Sequence, residues 1–358
     1  MRVAITTGGG DAPGLNAVIR AAVLAGLRRG WEMRGVRRGF GGLIGDAEVV
    51  TLDRDSVRGI THRGGTILGT TNRGNPFRWP VLTPSGEWIE EDRSDQLLES
   101  VRKLGLDAFI CVGGDGTLRI SQQLGQKGLP VVGVPKTIDR DVGGTVVTFG
   151  FDTAVSTATD ALDKLHSTAE SHERVMVVEV MGRNAGWIAL NSGLAGTADV
   201  ILIPEIPFDL KRVCEKVRER EASGRHFTIV VVAEGAVPKG GTETIQSEAR
   251  VGGVARLGGV SVTVADFIAQ ETGKETRTLT LGHLQRGGSP TTFDRTLALR
   301  FGAAAVRAVA DGEFNHMVAL DPPEIVAVPL ERAFECTGVP LDSDQIRTAR
   351  ELGVCLGD

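Results

Sequence analysis

The sequence predicts an α/β protein: two Rossmann-like, three-layer domains with mainly parallel sheets and an active-site cleft between them. Three observations carry this. Short apolar runs alternate with helix-period segments along most of the chain, as parallel strands joined by helical crossovers do. The alternation occurs twice, before about residue 150 and again from Arg174 to His283. Several runs end in glycine-rich turns bearing charged residues, and in open parallel sheets that edge is where ligands bind. A chain of 358 residues is long enough to bury a core in each half.

Arg2 to Thr7 reads as a strand, Gly8 to Gly14 as a glycine turn, and Leu15 to Arg29 as a helix with Ala17, Ile19, Ala22, Val23 and Leu27 apolar. Strand, turn and helix N-terminus make an anion cradle, with Gly10 and Asp11 in the turn. It is not the dinucleotide fingerprint, because Val36 to Gly39 stand where that motif needs a strand-end acid. Arg63 to Arg73 is a polar, glycine-rich loop: either an exposed turn or a phosphate-facing flap with Arg73 as a mobile cation. Ser94 to Leu104 reads as a helix with Leu97, Leu98, Val101 and Leu104 on one face.

Ala108 to Val112 and Val131 to Val134 read as buried strands. The first ends in G-G-D-G-T (113–117), with a helix expected from Thr117, and the second in P-K-T-I-D-R-D (135–141). Together they deliver Asp115, Asp139, Asp141 and Lys136 to one sheet edge beside a glycine turn. Glycines let backbone N–H groups approach an anion, and a carboxylate among phosphate donors makes sense chiefly through Mg²⁺. Either piece alone could be an ordinary turn; the pair favours phosphoryl chemistry.

In the second half, Phe151 to His166 is a helix with Ala154, Ala158, Ala161, Leu162 and Leu165 in register, and Arg174 to Met181 is a buried strand. Val200 to Pro204 and Thr228 to Gly235 are strands flanking a charged helix, Leu210 to Glu221. Gly240 to Gly259 reads as a surface loop, Val262 to Glu271 as a helix, Thr278 to Pro290 as a strand breaking into a glycine turn, and Asp294 to Asp311 as a long helix. The strand-end elements carry Arg183, Glu234, Arg277, His283 and Arg286. Arginines grip phosphate in bidentate fashion and a carboxylate accepts from hydroxyls, so this set suits a sugar phosphate.

Net charge is −5, which argues against a nucleic-acid partner. The four cysteines, Cys111, Cys214, Cys336 and Cys355, form no CxxC pair, so a disulfide framework or zinc site is not expected. No signal segment or bilayer-spanning run is visible, and a cytoplasmic protein without membrane contact is expected. There is no tyrosine, so acid–base work must use other groups.

Taken together, T-G-G-G-D-A-P-G-L-N (7–16), R-G-G-T-I-L-G-T (63–70), G-G-D-G-T (113–117), P-K-T-I-D-R-D (135–141), V-E-V-M-G-R (178–183) and G-H-L-Q-R-G-G-S-P (282–290) resemble the 6-phosphofructokinase family, within its mixed ATP/pyrophosphate group. The resemblance runs from Thr7 to about Asp311. It implies phosphoryl transfer from ATP to the C1 hydroxyl of fructose 6-phosphate, a glycolytic step, with Mg²⁺ as cofactor. Asp139 is implied as the base and Thr137 as its positioning neighbour, with Asp115 as Mg²⁺ ligand and Asp141 in support. Gly10, Gly114, Gly116 and Thr117 would line the nucleotide phosphates, with Asn72 or Arg73 near the transferred phosphoryl. Met181, Gly182, Arg183, Glu234, His283 and Arg286 would hold the sugar phosphate, with Ile138, Leu284 and Gln285 of the same motifs also binding the substrate. Arg174 and Arg277 would come from a neighbouring subunit, giving a homodimer or homotetramer with shared active sites. Residues 1–150 with about 286–335 would form the donor domain, and 151–285 with about 336–358 the sugar-phosphate domain.

The chain departs from the family pattern at three places. Arg140 stands where asparagine is usual, and a cation there is expected to favour ionised Asp139. The loop Thr70 to Gly74 is one residue longer than the common bacterial form. Leu24 stands near the position of a second effector-site arginine, although Arg20 and Arg54 remain. For the donor, pyrophosphate users carry aspartate at the position of Gly116 together with lysine at that of Lys136; glycine with lysine favours ATP, with pyrophosphate as the alternative. An NAD-kinase-like enzyme could share G-G-D-G-T but would have no use for M-G-R or G-H-L-Q-R-G-G, and a silent regulator would be expected to lose Asp115 or Asp139.

Overall fold

The computed structural model describes residues 1–45, 47–247, 256–335 and 337–358. The first half contains β1 (Arg2–Thr7), α1 (Leu15–Arg28), β2 (Glu32–Val36), β3 (Val49–Leu52), the hairpin β4 (Trp79–Leu82) and β5 (Trp88–Glu91), α2 (Ser94–Lys103), β6 (Ala108–Gly113), α3 (Asp115–Gln126), β7 (Val131–Pro135) and α4 (Phe151–His172). The second contains β8 (Val175–Val180), α5 (Trp187–Ala195), β9 (Val200–Leu202), α6 (Leu210–Ala222), β10 (Thr228–Ala233), β11 (Ile245–Ser247), β12 (Arg256–Leu257), α7 (Val260–Thr272) and β13 (Thr276–Thr280). The chain closes with α8 (Thr292–Asp311), β14 (His316–Asp321), β15 (Glu324–Pro329) and α9 (Asp344–Glu351).

Two parallel-cored sheets result. The larger has the order β15-β14-β7-β6-β1-β2-β3, antiparallel only at its two edge pairs. The smaller, β13-β8-β10-β9, is wholly parallel. Side-chain alternation splits each core in two. Val3, Ile5, Ile110 and Val112 pack with α1 and α8, while Ala4, Phe109 and Cys111 pack with α2 and α3. Likewise Val178 and Val180 face α4, α5 and α9, and Val175 and Val177 face α6 and α7. Helices on both faces of both sheets are the three-layer architecture the sequence predicts.

Some boundaries differ. α3 starts at Asp115 rather than Thr117, so Asp115 sits in the first helical turn. The expected loop 240–259 contains the antiparallel pair β11–β12, with 248–255 outside the described residues. Cys336 also lies outside them, and the three described cysteines are free thiols. α5 gave no periodic signal because it is buried on nearly every side, from Trp187 through Leu190.

The junction between α4 and α8 is polar and buried. Asp294 accepts from the backbone N–H of Thr153 at 2.8 Å and from its hydroxyl at 2.5 Å, while its Oδ1 is buried without a donor. Burial raises this carboxyl from an ordinary 3.8 to about 6, against the opposing Thr153 bonds. The fold therefore binds this proton more readily than the unfolded chain. The stabilisation is fully present below pH 3.8 and is lost as pH rises through about 6. Asp294→Asn should remove on the order of 3 kcal/mol of pH-dependent change across that interval. Denaturant unfolding at a series of pH values checks this; an unchanged slope would place the proton elsewhere.

Candidate active site

Chain connections reverse direction between β1 and β6, which are neighbours in the larger sheet. Such a switch point opens a crevice at the strand C-termini. Both glycine turns emerge there, joined by Gly8 N–H donating to Val112 O at 2.9 Å. The 63–73 loop closes over the first turn: Thr70 Oγ1 donates to Gly9 O at 2.6 Å, and Gly9 N–H donates to Thr71 O at 3.1 Å. Asn16 fixes the loop's other end through Arg63 O and the Ile67 N–H. Asn72 lines the cleft; Arg73 is exposed, its N–H donating to Thr71 Oγ1.

The segment after β7 is a loop closed at its base, where Lys136 pairs with Phe149. Phe149 is fully buried, edge-on to Phe301. Within the loop, Thr137 Oγ1 accepts from Asp139 N–H at 3.0 Å and donates to Asp141 Oδ1 at 2.8 Å, and Thr148 Oγ1 donates to Thr137 O at 2.8 Å. Thr137 therefore orients both aspartates. Lys136 is buried and donates to Gly10 O, tying this loop to the first glycine turn. Gly114 lies beside Lys136 O, so the second turn abuts the same loop.

Burial raises the Asp139 carboxyl to about 7, with Asp141 adding to the rise and Arg286 opposing it. Burial, with Arg286 adding, lowers Lys136 to about 8. The expectation that Arg140 favours ionised Asp139 is not met. Its guanidinium turns away, over the Trp187 ring at 4.3 Å, and burial together with Asp141 outweighs the cations that do face Asp139. Asp139 Oδ1 is buried and accepts no hydrogen bond. Asp115 is different: it is ion-paired, with Arg119 Nε 2.9 Å from Oδ1 and 3.0 Å from Oδ2, and only Oδ2 accepts a hydrogen bond from it.

The smaller sheet supplies the facing wall from the C-terminal ends of β8, β10 and β13. A cleft of about 670 Å³ is lined there by Met181, Arg183, Glu234, His283 and Arg286, and opposite by Gly9, Gly10, Asp11 and Asn72. Arg286 spans the two halves, its guanidinium donating to Asp11 O at 3.1 Å. Gly10 makes this possible, because a Cβ there would lie 3.0 Å from that guanidinium. Glu234 is raised by burial and then by Glu179.

The remaining expected residues are placed as follows. Ile138 is wholly in the core, so only its backbone can face a ligand. Gln285 is buried, its Nε2 on Gly282 O, while Leu284 points to solvent. Arg174 and Arg277 sit toward the N-terminal ends of β8 and β13, away from the cleft, and share Glu275. At ~3.3 Å per residue, a strand the length of β8 spans roughly 20 Å, which puts Arg174 beyond a side chain's reach of the cleft, while the Arg277 guanidinium is turned away from it onto Thr276 O and Glu275. Glu179 also lines the cleft. Its sequence signal is a lone acid in an otherwise apolar strand. It accepts from Gly259 N–H, Ser261 N–H and Ser261 Oγ, capping α7.

No group of three or more His, Cys, Asp or Glu side chains placed to hold a metal occurs among the described residues. Mg²⁺ bound with phosphates needs only one or two carboxylates, and Asp115, whose Oδ1 accepts no hydrogen bond although it is ion-paired with Arg119, fits that demand. Among the described residues no helix is long and apolar enough to cross a membrane.

Comparison with known proteins agrees with this geometry. The phosphofructokinase family model matches residues 2–309. The chain is 52% identical to an ATP-dependent 6-phosphofructokinase of Chloroflexus aggregans, covering 100% of this chain and 98% of that protein. It is also 52% identical to a pyrophosphate–fructose 6-phosphate 1-phosphotransferase of Amycolatopsis methanolica, over 93% of this chain and 94% of that one. The solved phosphofructokinase of Saccharomyces cerevisiae superposes with a TM-score of 0.77 at 30% identity over 99% of this chain, which spans 47% of the yeast chain's length. With a crevice at the strand switch point, a facing wall that carries Arg183, Glu234, His283 and Arg286, and a family match across most of its length, this chain belongs to the phosphofructokinase family.

Proposed function

We propose that this chain is an ATP-dependent 6-phosphofructokinase. The observation that carries the reading is the meeting of Asp139, Lys136 and Arg286 where the two walls join, with Glu234 close enough to add to the rise of Asp139. In the reaction, the C1 hydroxyl oxygen of fructose 6-phosphate bonds to the γ-phosphorus as the bond to ADP breaks. Asp139 takes the hydroxyl proton, Thr137 holding its backbone. Phosphoryl transfer needs positioning and charge neutralisation rather than covalent help. Lys136 and the two glycine turns supply part of that charge, and Arg183, His283 and Arg286 hold the sugar phosphate against the opposite wall. Asp115, with Asp141 in support, would hold Mg²⁺, which neutralises charge on the donor phosphates. The test is turnover of fructose 6-phosphate with Mg²⁺ and ATP, against the same mixture with pyrophosphate. Lys136 favours a second reading, pyrophosphate as donor, and faster turnover with pyrophosphate would establish it.

The subunit arrangement and the domain division belong to the same proposal. The site is completed across a homodimer or homotetramer interface by Arg174 and Arg277, whose placement away from their own cleft supports the reading. The donor domain comprises residues 1–150 with about 286–335, and the remainder forms the sugar-phosphate domain, in a cytoplasmic enzyme. Arg277→Ala should raise KM for fructose 6-phosphate. Mixing it with inactive Asp139→Asn under subunit exchange should restore part of the activity, whereas a fully active monomer would defeat the arrangement.

A further inference from the structure

Arg140, between the two aspartates of the catalytic loop, takes no part in the chemistry above, yet it is held on several sides. Its backbone is left-handed, with φ of 55°, a conformation that costs a non-glycine residue on the order of 1 kcal/mol. Its Nε donates to Val146 O at 3.1 Å, closing the loop internally. Its guanidinium lies 4.3 Å over the Trp187 ring and 5.8 Å over Phe151, both largely buried. A polar chain returns to the same residue: Trp187 Nε1 donates to Thr337 O at 2.9 Å, and Thr337 Oγ1 donates to Arg140 O at 3.1 Å.

Trp187 opens α5, directly after the turn that begins with Met181, Gly182 and Arg183. Gly186, just before it, donates its N–H to Glu205, which also accepts from Val339 N–H. The indole is therefore fixed to the sugar-phosphate wall, and Arg140 is fixed to the loop that carries Asp139. An asparagine at position 140 could adopt the same backbone but could not reach the ring.

We propose that Arg140 is a positioning residue: its guanidinium on Trp187 clamps the loop of Asp139 to the sugar-phosphate wall and sets the base against the bound sugar. The proposal rests on the reading of Asp139 as base. A partly desolvated cation on tryptophan corresponds to a roughly 5- to 30-fold loss of kcat when removed.

The experiment is a double-mutant cycle on the full enzyme with Arg140→Asn, Trp187→Leu and their combination. Steady-state kinetics and thermal unfolding are measured, with Asp139→Asn as control. Arg140→Asn keeps the backbone conformation, so its loss should fall on kcat while KM for the donor stays within about 2-fold. Trp187→Leu should lose a similar factor, and the double variant should be little worse than either single. Arg140→Lys, which keeps a cation near the ring, should recover most of kcat, as should Trp187→Phe. Wild-type kcat in Arg140→Asn, or losses that multiply in full, would overturn the clamp. If either main variant does not fold, Arg140→Lys and Trp187→Phe decide: activity near wild type supports the clamp, and collapse of kcat in both rejects it. An inactive Asp139→Asn alongside multiplying losses rejects the clamp alone, whereas an active Asp139→Asn rejects the base and the clamp with it.

Discussion

Asp139→Asn is expected to lower kcat by roughly 10²–10⁴-fold, the usual worth of a positioned general base. KM for fructose 6-phosphate should change little, because the residues proposed to grip its phosphate, Arg183, His283 and Arg286, line the other wall. Asp139 suits the role by position and environment. Its backbone N–H is fixed on Thr137, and one carboxylate oxygen is buried with no donor. Burial and Asp141 lift it to about 7, close to the pH at which a base works best. The same environment separates loss of chemistry from loss of fold. Ionised Asp139 is held against burial and a neighbouring carboxylate, so asparagine relieves that tension, and thermal stability should be equal or higher. Low kcat with an undiminished Tm is the expected pair of results. Near-normal turnover would remove Asp139 from the base role.

Such a site was legible in the sequence wherever chemistry followed directly on a buried strand. The turns after β1, β6, β7 and β8 are all announced by an apolar run breaking into glycine or charge, and Lys136, Asp139 and Arg183 lie where that reading puts them. Contacts between segments distant in the chain were not legible. Nothing local in G-H-L-Q-R-G-G shows that Arg286 reaches the carbonyl of Asp11, or that the Arg140 guanidinium stacks on Trp187 instead of facing Asp139. The strands at the sheet margins escaped for another reason. At one margin of the larger sheet β2, which pairs with the edge strand β3, carries Glu32 and Arg34, and at the other the edge strand β15 is only half buried, so neither presents a continuous apolar run. Arg277 illustrates a third limit: proximity in sequence to a cleft motif says nothing about which end of a strand a side chain occupies.

Gly116→Asp is expected to lower kcat/KM for ATP by on the order of 10²-fold or more while leaving the fold intact. Gly116 lies in the first turn of α3 and is exposed, and a Cβ added there meets nothing within 4 Å. An aspartate therefore fits sterically, and at a helix N-terminus its charge is favourable by about 0.3–1 kcal/mol. A fall in activity accordingly cannot be charged to unfolding, which a Tm measurement verifies. The loss arises from the ligand. The open space at this N-terminus is where the resemblance places donor phosphates, and a carboxylate there meets the α-phosphate of ATP. Like charges in a partly dry site repel by several kcal/mol on the order-of-magnitude scale of Coulomb's law, and each ~1.4 kcal/mol is tenfold in rate. Pyrophosphate has no α-phosphate to repel, and Lys136, buried and held on Gly10 O, is proposed to serve a phosphate of either donor. The variant should therefore lose ATP use far more than pyrophosphate use. Wild-type turnover that is faster with pyrophosphate than with ATP at equal concentrations would show that position 116 is not the gate and that Lys136 governs the donor.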